Sequence, residues 1–217
     1  AQLSYLSQMV GIVGLQGVTP MMGLALVVAT LGALFGGKDH DAHGDVHQAR
    51  EANVGNYWVD VTRASVRFML PLCLLWSILL TWQGVPATLS AGPTVVPIDA
   101  CAQMAEQKIP LGPVATMVAA KQLGTNGGGW YGPNSAVPLE NPTPLSNLFE
   151  VLGILLIPVA VVFMVGPLVG RRKLSALVFG SMMLMSAAST GFAVWSEKFS
   201  STASDVALME GKEVRFG

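Results

Sequence analysis

Charge is what this sequence has least of. Lys, Arg, Asp and Glu make up 12% of its 217 residues against 52% hydrophobic ones, and 12 basic against 13 acidic side chains leave a formal net charge of −1. An average soluble domain carries about 25% charged residues. A chain this poor in charge has no basic face for phosphate backbones, which excludes nucleic-acid binding as a function class. Cysteine is nearly absent: Cys73 stands in an apolar run and Cys101 in a polar one, with no CxxC or zinc spacing, so they fix no redox compartment. The three histidines share one tract, and no Ser–His–Asp or paired-carboxylate arrangement is visible, so no catalytic centre is expected on this chain. The first residue is Ala1 and no signal-peptide pattern follows, so the natural chain is expected to begin elsewhere.

What is abundant is apolar length and glycine. The mean hydropathy is +0.54, and there are 24 glycines. Residues 9–35 contain no charged side chain, and a bilayer core needs about 20 apolar residues. This predicts a first transmembrane helix, kinked at Pro20, with Gly11, Gly14, Gly17, Gly23 and Gly32 for close helix packing. A second span is expected over 63–82, after a cytoplasmic loop at 36–62. Residues 83–109, punctuated by Pro86, Pro93 and Pro97, read as irregular. Asn147 with Glu150 fits a capping box opening a third span at 148–169, with Pro158 inside it. Arg171, Arg172 and Lys173 end that helix, a fourth is expected over 174–196, and 197–217 reads as an extracytoplasmic segment. The methionines and tryptophans read as packing or lipid-facing residues, with Trp82 and Trp195 as interfacial anchors.

Basic residues accumulate on the cytoplasmic side of membrane proteins. Lys38, Arg50, Arg63, Arg67, Arg171, Arg172 and Lys173 fall in or beside the first loop and the 171–173 turn, whereas only Lys108 and Lys121 lie between the second and third spans. The segment between those spans is therefore expected outside. At its centre runs Gly124-Thr125-Asn126-Gly127-Gly128-Gly129-Trp130-Tyr131-Gly132, too polar and glycine-rich to span. Residues 110–124 before it read as a short helix, with Pro110 or Pro113 in its first turn and Gly124 at C′. Its carbonyl end would place partial negative charge beside the glycine strand 125–132. Adjacent glycines accept positive φ, so carbonyls can be turned to one side, and a row of carbonyls can replace the water shell of a cation, as in potassium filters. The expected fold is thus an all-α polytopic membrane protein with four spans, a re-entrant pore helix and a filter loop. Irregular backbone at membrane depth is tolerated only where it lines a cavity or is buried in protein.

Other readings compete. Gly127, Gly129 and Gly132 satisfy G-x-G-x-x-G, but a dinucleotide site needs a strand before and a helix after, and here a helix precedes and prolines follow. An ordinary surface turn is the plainer alternative, set against a 65-residue connection that carries its own short helix. In the first loop, His43 and His47 stand four apart, a weak candidate metal site in a tract otherwise read as solvated.

The block Gly124-Thr125-Asn126-Gly127-Gly128-Gly129, with Asn134-Ser135-Ala136 and Glu140-Asn141-Pro142-Thr143 after it, resembles the second filter region of the KdpA family, the potassium-binding and translocating component of the bacterial Kdp pump, an ATP-driven potassium importer. Leu3-Ser4-Tyr5-Leu6-Ser7-Gln8-Met9, Gly55-Asn56-Tyr57-Trp58-Val59-Asp60, Leu111-Gly112-Pro113-Val114-Ala115 and Glu210-Gly211-Lys212-Glu213-Val214-Arg215-Phe216-Gly217 look like the same family in the same order. Family members are longer, with four pore units, so this sequence resembles a middle piece. The resemblance implies that Thr125, Asn126, Gly127, Gly128 and Gly129 supply one quarter of a potassium filter, with K+ bound at backbone carbonyls. Gly124, Trp130, Tyr131, Asn134, Glu140 and Asn141 would support it. It implies three partners in the bacterial inner membrane: a P-type ATPase subunit that uses ATP, a periplasmic-facing subunit, plus a small single-span subunit. Trp130 and Tyr131 keep the family's aromatic pair, while Val137 stands where a histidine is usual, which touches the outer rim. The alternative class is a stand-alone passive cation channel, and a third is a structural membrane subunit with no ion path.

Overall fold

The structure is a computed structural model that describes residues 4–35, 55–97 and 105–199. The His43 and His47 pair, Cys101 and the 197–217 segment beyond residue 199 lie outside the described residues. Among the described residues, four helices are long and apolar enough to cross a membrane: Ser7–Leu34, Tyr57–Trp82, Pro144–Pro167 and Arg172–Ser196. The first is a wider π-helical stretch, Ser7–Val13, running into α1 (Gly14–Phe35). The second comprises α2 (Tyr57–Ala64), a π-helical stretch Ser65–Met69 and α3 (Leu70–Trp82). The short helix α4 (Val114–Leu123) precedes α5 (Pro144–Leu168) and α6 (Arg172–Phe199).

Several boundaries differ from the sequence expectation, each for a local reason. The second span starts at Tyr57, inside the expected loop, because the Asn56 carboxamide oxygen accepts the Val59 N–H at 3.3 Å as an N-terminal cap. The capping box of the third span is not Asn147 with Glu150. Thr143 Oγ1 accepts the Ser146 N–H and Ser146 Oγ accepts the Thr143 N–H, both at 3.0 Å, with Pro144 at the first helical position. Asn147 instead accepts a bond from Asn141 at 2.9 Å. Helix α4 starts at Val114, with Pro113 as its N-cap rather than inside its first turn. The irregular 83–109 stretch contains a pair of two-residue antiparallel strands, β1 (Thr94–Val95) and β2 (Gln107–Lys108), with Thr94 opposite Lys108.

The chain divides into two compact units: residues 1–21 with 63–155, and residues 22–62 with 156–217. In the first, α4 is the centre. Nine of its ten residues are buried, including Lys121 and Gln122, as expected of a helix enclosed on all sides. Val114, Ala115, Met117, Val118 and Ala119 form the core with Leu80, Val85 and Trp130, and Tyr5, Met9, Trp76 and Phe149 pack against it. The first turn of α4 has no side-chain cap; the Ala115 N–H is met by the Pro86 carbonyl at 2.9 Å. Packing around α4 needs glycine at Gly153, where a Cβ would lie 2.9 Å from Trp76 Nε1 and 3.4 Å from the Gln122 Cβ. Trp76 Nε1 there donates to the Phe149 carbonyl at 2.9 Å. Gly153→Ala in the full-length protein is expected to cost about 1–3 kcal/mol through overpacking, read as a lower thermal unfolding midpoint in detergent. An unchanged midpoint would show that α3 and α5 are not held this closely. By contrast, a Cβ at Gly11, Gly14 or Gly17 meets nothing within 4 Å among the described residues, so the expected packing role of these glycines finds no partner among them.

In the second unit the notable contact is a repair. Pro167 in α5 has no N–H for the Phe163 carbonyl. Ser175 Oγ lies 3.4 Å from that carbonyl and accepts the Gly166 N–H at 2.8 Å. Phe163 and Phe179 pack with ring centroids 5.2 Å apart.

Candidate functional site

The glycine-rich strand begins as the cap of α4. The Asn126 N–H reaches the Lys121 carbonyl and the Thr125 N–H the Gln122 carbonyl, both at 3.1 Å. That is the double bond pattern of a Schellman motif. Its left-handed residue is Thr125, at φ 56°, not Gly124, which keeps a helical φ of −81°. Gly124 is needed for closeness instead: a Cβ there would sit 2.6 Å from the Gln16 carbonyl and 2.8 Å from that of Ala120. A β-branched residue in the left-handed region is strained, at about 1–2 kcal/mol. Such outliers concentrate at functional sites.

Of the three consecutive glycines only Gly127 has positive φ, 81°; the other two are set by their neighbours. The Gly127 carbonyl accepts the Asn134 N–H at 2.8 Å, and the Gly128 carbonyl accepts Gln16 Nε2 at 2.6 Å. Asn126 Nδ2 donates to the Gln16 main-chain carbonyl at 2.9 Å. A Cβ on Gly129 would come within 2.5 and 2.8 Å of the two Glu140 carboxylate oxygens. Thr125 and Asn126 are exposed, Gly127 to Gly129 half-buried, and Trp130 buried. Two of the carbonyls assigned by resemblance to ion binding thus already hold one donor each, which leaves each a second lone pair.

Behind the strand lies a buried polar network. Lys121 on α4 and Glu140 are both fully buried, and their charges stand 3.3 Å apart. Glu140 Oε1 accepts the main-chain N–H groups of Trp130 at 2.5 Å and Tyr131 at 3.1 Å. Lys121 also donates to Ser135 Oγ. Ser135 takes a second bond from Gln122 Nε2 at 3.2 Å, and Gln122 donates further to Glu150 on α5. Asn134 and Ser135, at φ 57° and 55°, turn the returning chain so that Asn134 reaches the Gly127 carbonyl and Ser135 this cluster. Asn141 ties it to the start of α5 through Asn147 and through Ser146 Oγ at 2.6 Å. Buried charges of this kind persist where both partners are fully bonded.

The Trp130 ring stands edge-on to Tyr5, centroids 5.3 Å apart, and lies against Gly112. Burial first, then the charges of Glu140 and Tyr5, pushes the Tyr131 hydroxyl up to about 12. It is therefore a neutral phenol at any physiological pH.

The structure brings Gly124 to Tyr131, Asn134, Glu140 and Asn141 into one region. It adds residues that sequence reasoning misses: Gln16, Lys121, Gln122, Ser135 and, in a different capacity, Glu150. A signal existed for two of them. Lys121 is a charge inside an apolar short helix, and Gln16 lies four residues before Pro20 in a run without charge. Among the described residues, no group of three or more His, Cys, Asp or Glu side chains is placed to hold a metal ion.

Four membrane-length helices among the described residues, with a short buried helix and a glycine-rich strand in the first unit, define a polytopic helical membrane protein. Comparison with known proteins narrows this. The family described as Potassium-transporting ATPase A subunit, KdpA, matches residues 1–217, and the chain belongs to that family. It is similar to proteins named "Potassium-transporting ATPase potassium-binding subunit" from Pseudomonas putida and Pseudomonas aeruginosa, at 43% identity over 100% of this chain and 37% of each relative. The protein of the same name from Anaeromyxobacter dehalogenans is 40% identical, over 99% of this chain and 38% of its own length. The chain therefore spans little more than a third of these relatives.

Proposed function

We propose that this chain supplies one filter segment of the potassium-binding subunit of an ATP-driven potassium uptake pump. The observation that carries this reading is the backbone of residues 126–128. The Gly127 carbonyl is held by the Asn134 N–H and the Gly128 carbonyl by Gln16 Nε2, Asn126 Nδ2 is bonded to the Gln16 carbonyl, and the neighbours are held by Glu140, while Thr125 and Asn126 stay exposed. Carbonyls fixed by one donor each keep a second lone pair, which suits coordination of a dehydrated cation provided other segments complete the ring. Relatives that are nearly three times as long would supply those segments. In this reading α4 and the 125–132 strand form the re-entrant pore element on the extracytoplasmic side of the bacterial inner membrane, the loop ahead of Tyr57 faces the cytoplasm and the segment after α6 the outside. K+ is the cargo. ATP is consumed by a P-type ATPase subunit, with a periplasmic-facing and a small single-span subunit completing the complex.

Gly128→Asp in the full-length protein tests the filter. A Cβ there lies 2.8 Å from Gln16 Nε2, and the added carboxylate disturbs the carbonyls on either side. Discrimination of K+ over Na+ is expected to fall by about tenfold, as for loss of a hydrogen bond involving a charged group. Uptake and potassium-limited growth unchanged by the substitution would sink the assignment. Dependence of uptake on the partner's ATP hydrolysis separates the pump from a passive channel.

A further inference from the structure

One residue of α1 holds the strand at two points. Gln16 is 6% exposed, in a helix with no charged residue. Its side-chain Nε2 donates to the Gly128 carbonyl at 2.6 Å, and its own main-chain carbonyl accepts from Asn126 Nδ2 at 2.9 Å. The second contact exists because of Pro20. In an α-helix the Gln16 carbonyl would be taken by the N–H four residues on, and Pro20 has none. Its Oε1 is buried and has no hydrogen-bond partner among the described residues. An acceptor left so is costly, and here it stands beside the carbonyls of a cation-binding strand.

We propose that Gln16 is a positioning residue that determines ion specificity. Acting at Asn126 and Gly128 together, it fixes the tilt of the backbone between them and hence the size of cation the carbonyls fit. The proposal rests on the filter reading above. Selection of K+ over the smaller Na+ depends on the number of carbonyl dipoles and on how far they can close in. A carbonyl with one lone pair held by Nε2 presents the other in a set direction. Released, it can follow a smaller ion inward.

The test uses the full-length protein in its complex, with K+ and Na+ as the probes and ion-stimulated ATP hydrolysis and uptake as readouts. Gln16→Met keeps length and apolar volume but removes the donor. It is expected to raise the apparent KM for K+ about tenfold and to lower K+/Na+ discrimination by a similar factor, with the maximal rate per assembled complex retained. Pro20→Ala restores an N–H that competes with Asn126 for the Gln16 carbonyl, and should shift both in the same direction by about two- to threefold. Gly128→Asp is measured beside them. If Gly128→Asp alters discrimination while Gln16→Met leaves KM and discrimination unchanged, the role given to Gln16 is overturned and the filter stands. If neither alters discrimination, both fall. A Gln16→Met complex formed in low yield but with wild-type discrimination assigns Gln16 to folding alone and also overturns the proposal.

Discussion

Glu140→Leu in the full-length protein is expected to be among the most damaging single changes in this region, destabilising it by about 3–5 kcal/mol. The carboxylate neutralises a fully buried Lys121 at 3.3 Å and simultaneously receives the main-chain N–H groups of Trp130 and Tyr131. Leucine removes the counter-charge and three hydrogen bonds in an interior where water cannot replace them. The measurement is the yield and thermal midpoint of the detergent-solubilised complex, compared in a double-mutant cycle with Lys121→Met. The pair Lys121→Met with Glu140→Leu should recover part of the loss, because no buried charge is then left uncompensated. Recovery should be incomplete, because the two main-chain donors still lack an acceptor. Additive single effects would show that the ion pair is not coupled as its geometry requires.

Gly129→Ala is expected to lower potassium discrimination by about a hundredfold, twice the free-energy cost of losing one charge-assisted bond. The new Cβ would overlap the Gly132 main-chain carbonyl oxygen and stand 2.5 and 2.8 Å from the Glu140 oxygens. Glu140 cannot retreat without releasing Lys121, Trp130 and Tyr131, so the strain passes into the strand. Gly132 supplies the control three residues away. Its backbone is extended, at φ 179°, and a Cβ there meets nothing within 4 Å. Gly132→Ala should therefore leave both stability and uptake unchanged. Equal effects of the two substitutions would mean that glycine is needed here for flexibility rather than for room.

That contrast marks how far a single sequence can be read. Apolar length identifies the helices long enough to cross a membrane, because a bilayer demands it of consecutive residues. Ser7–Leu34 and Arg172–Ser196 lie within a few residues of the expected 9–35 and 174–196. The short helix before the glycines is legible from the prolines ahead of it and the glycine after it. Its cap is off by one residue: glycine is the usual left-handed C′ residue, so Gly124 draws the assignment, yet here packing against the Gln16 carbonyl fixes the glycine and Thr125 takes the turn. The capping box fails similarly, since Asn147 and Glu150 have the right spacing but Thr143 and Ser146 stand nearer the proline that starts the helix. The family motif brings in Glu140 and Asn141 without saying what they bind. The position of Gln16 four residues before Pro20 marks it as unusual, but not its role, because its two contacts lie 110 and 112 residues down the chain.

That separation has a consequence for biogenesis. Helix α1 leaves the ribosome and enters the bilayer long before Asn126 and Gly128 are synthesised. At about 5–20 residues per second, the interval is on the order of 5–20 s. Throughout it, the Gln16 carbonyl exposed by Pro20 and the Gln16 amide have no strand to bind. Polar groups in that position are poorly tolerated by lipid, which favours a nascent helix held beside the insertion machinery or another polar surface until α4 arrives. The hydrogen bond missing at Pro20 thus leaves the Gln16 carbonyl unmatched within its own helix until the strand that meets it, 110 residues on, has been made.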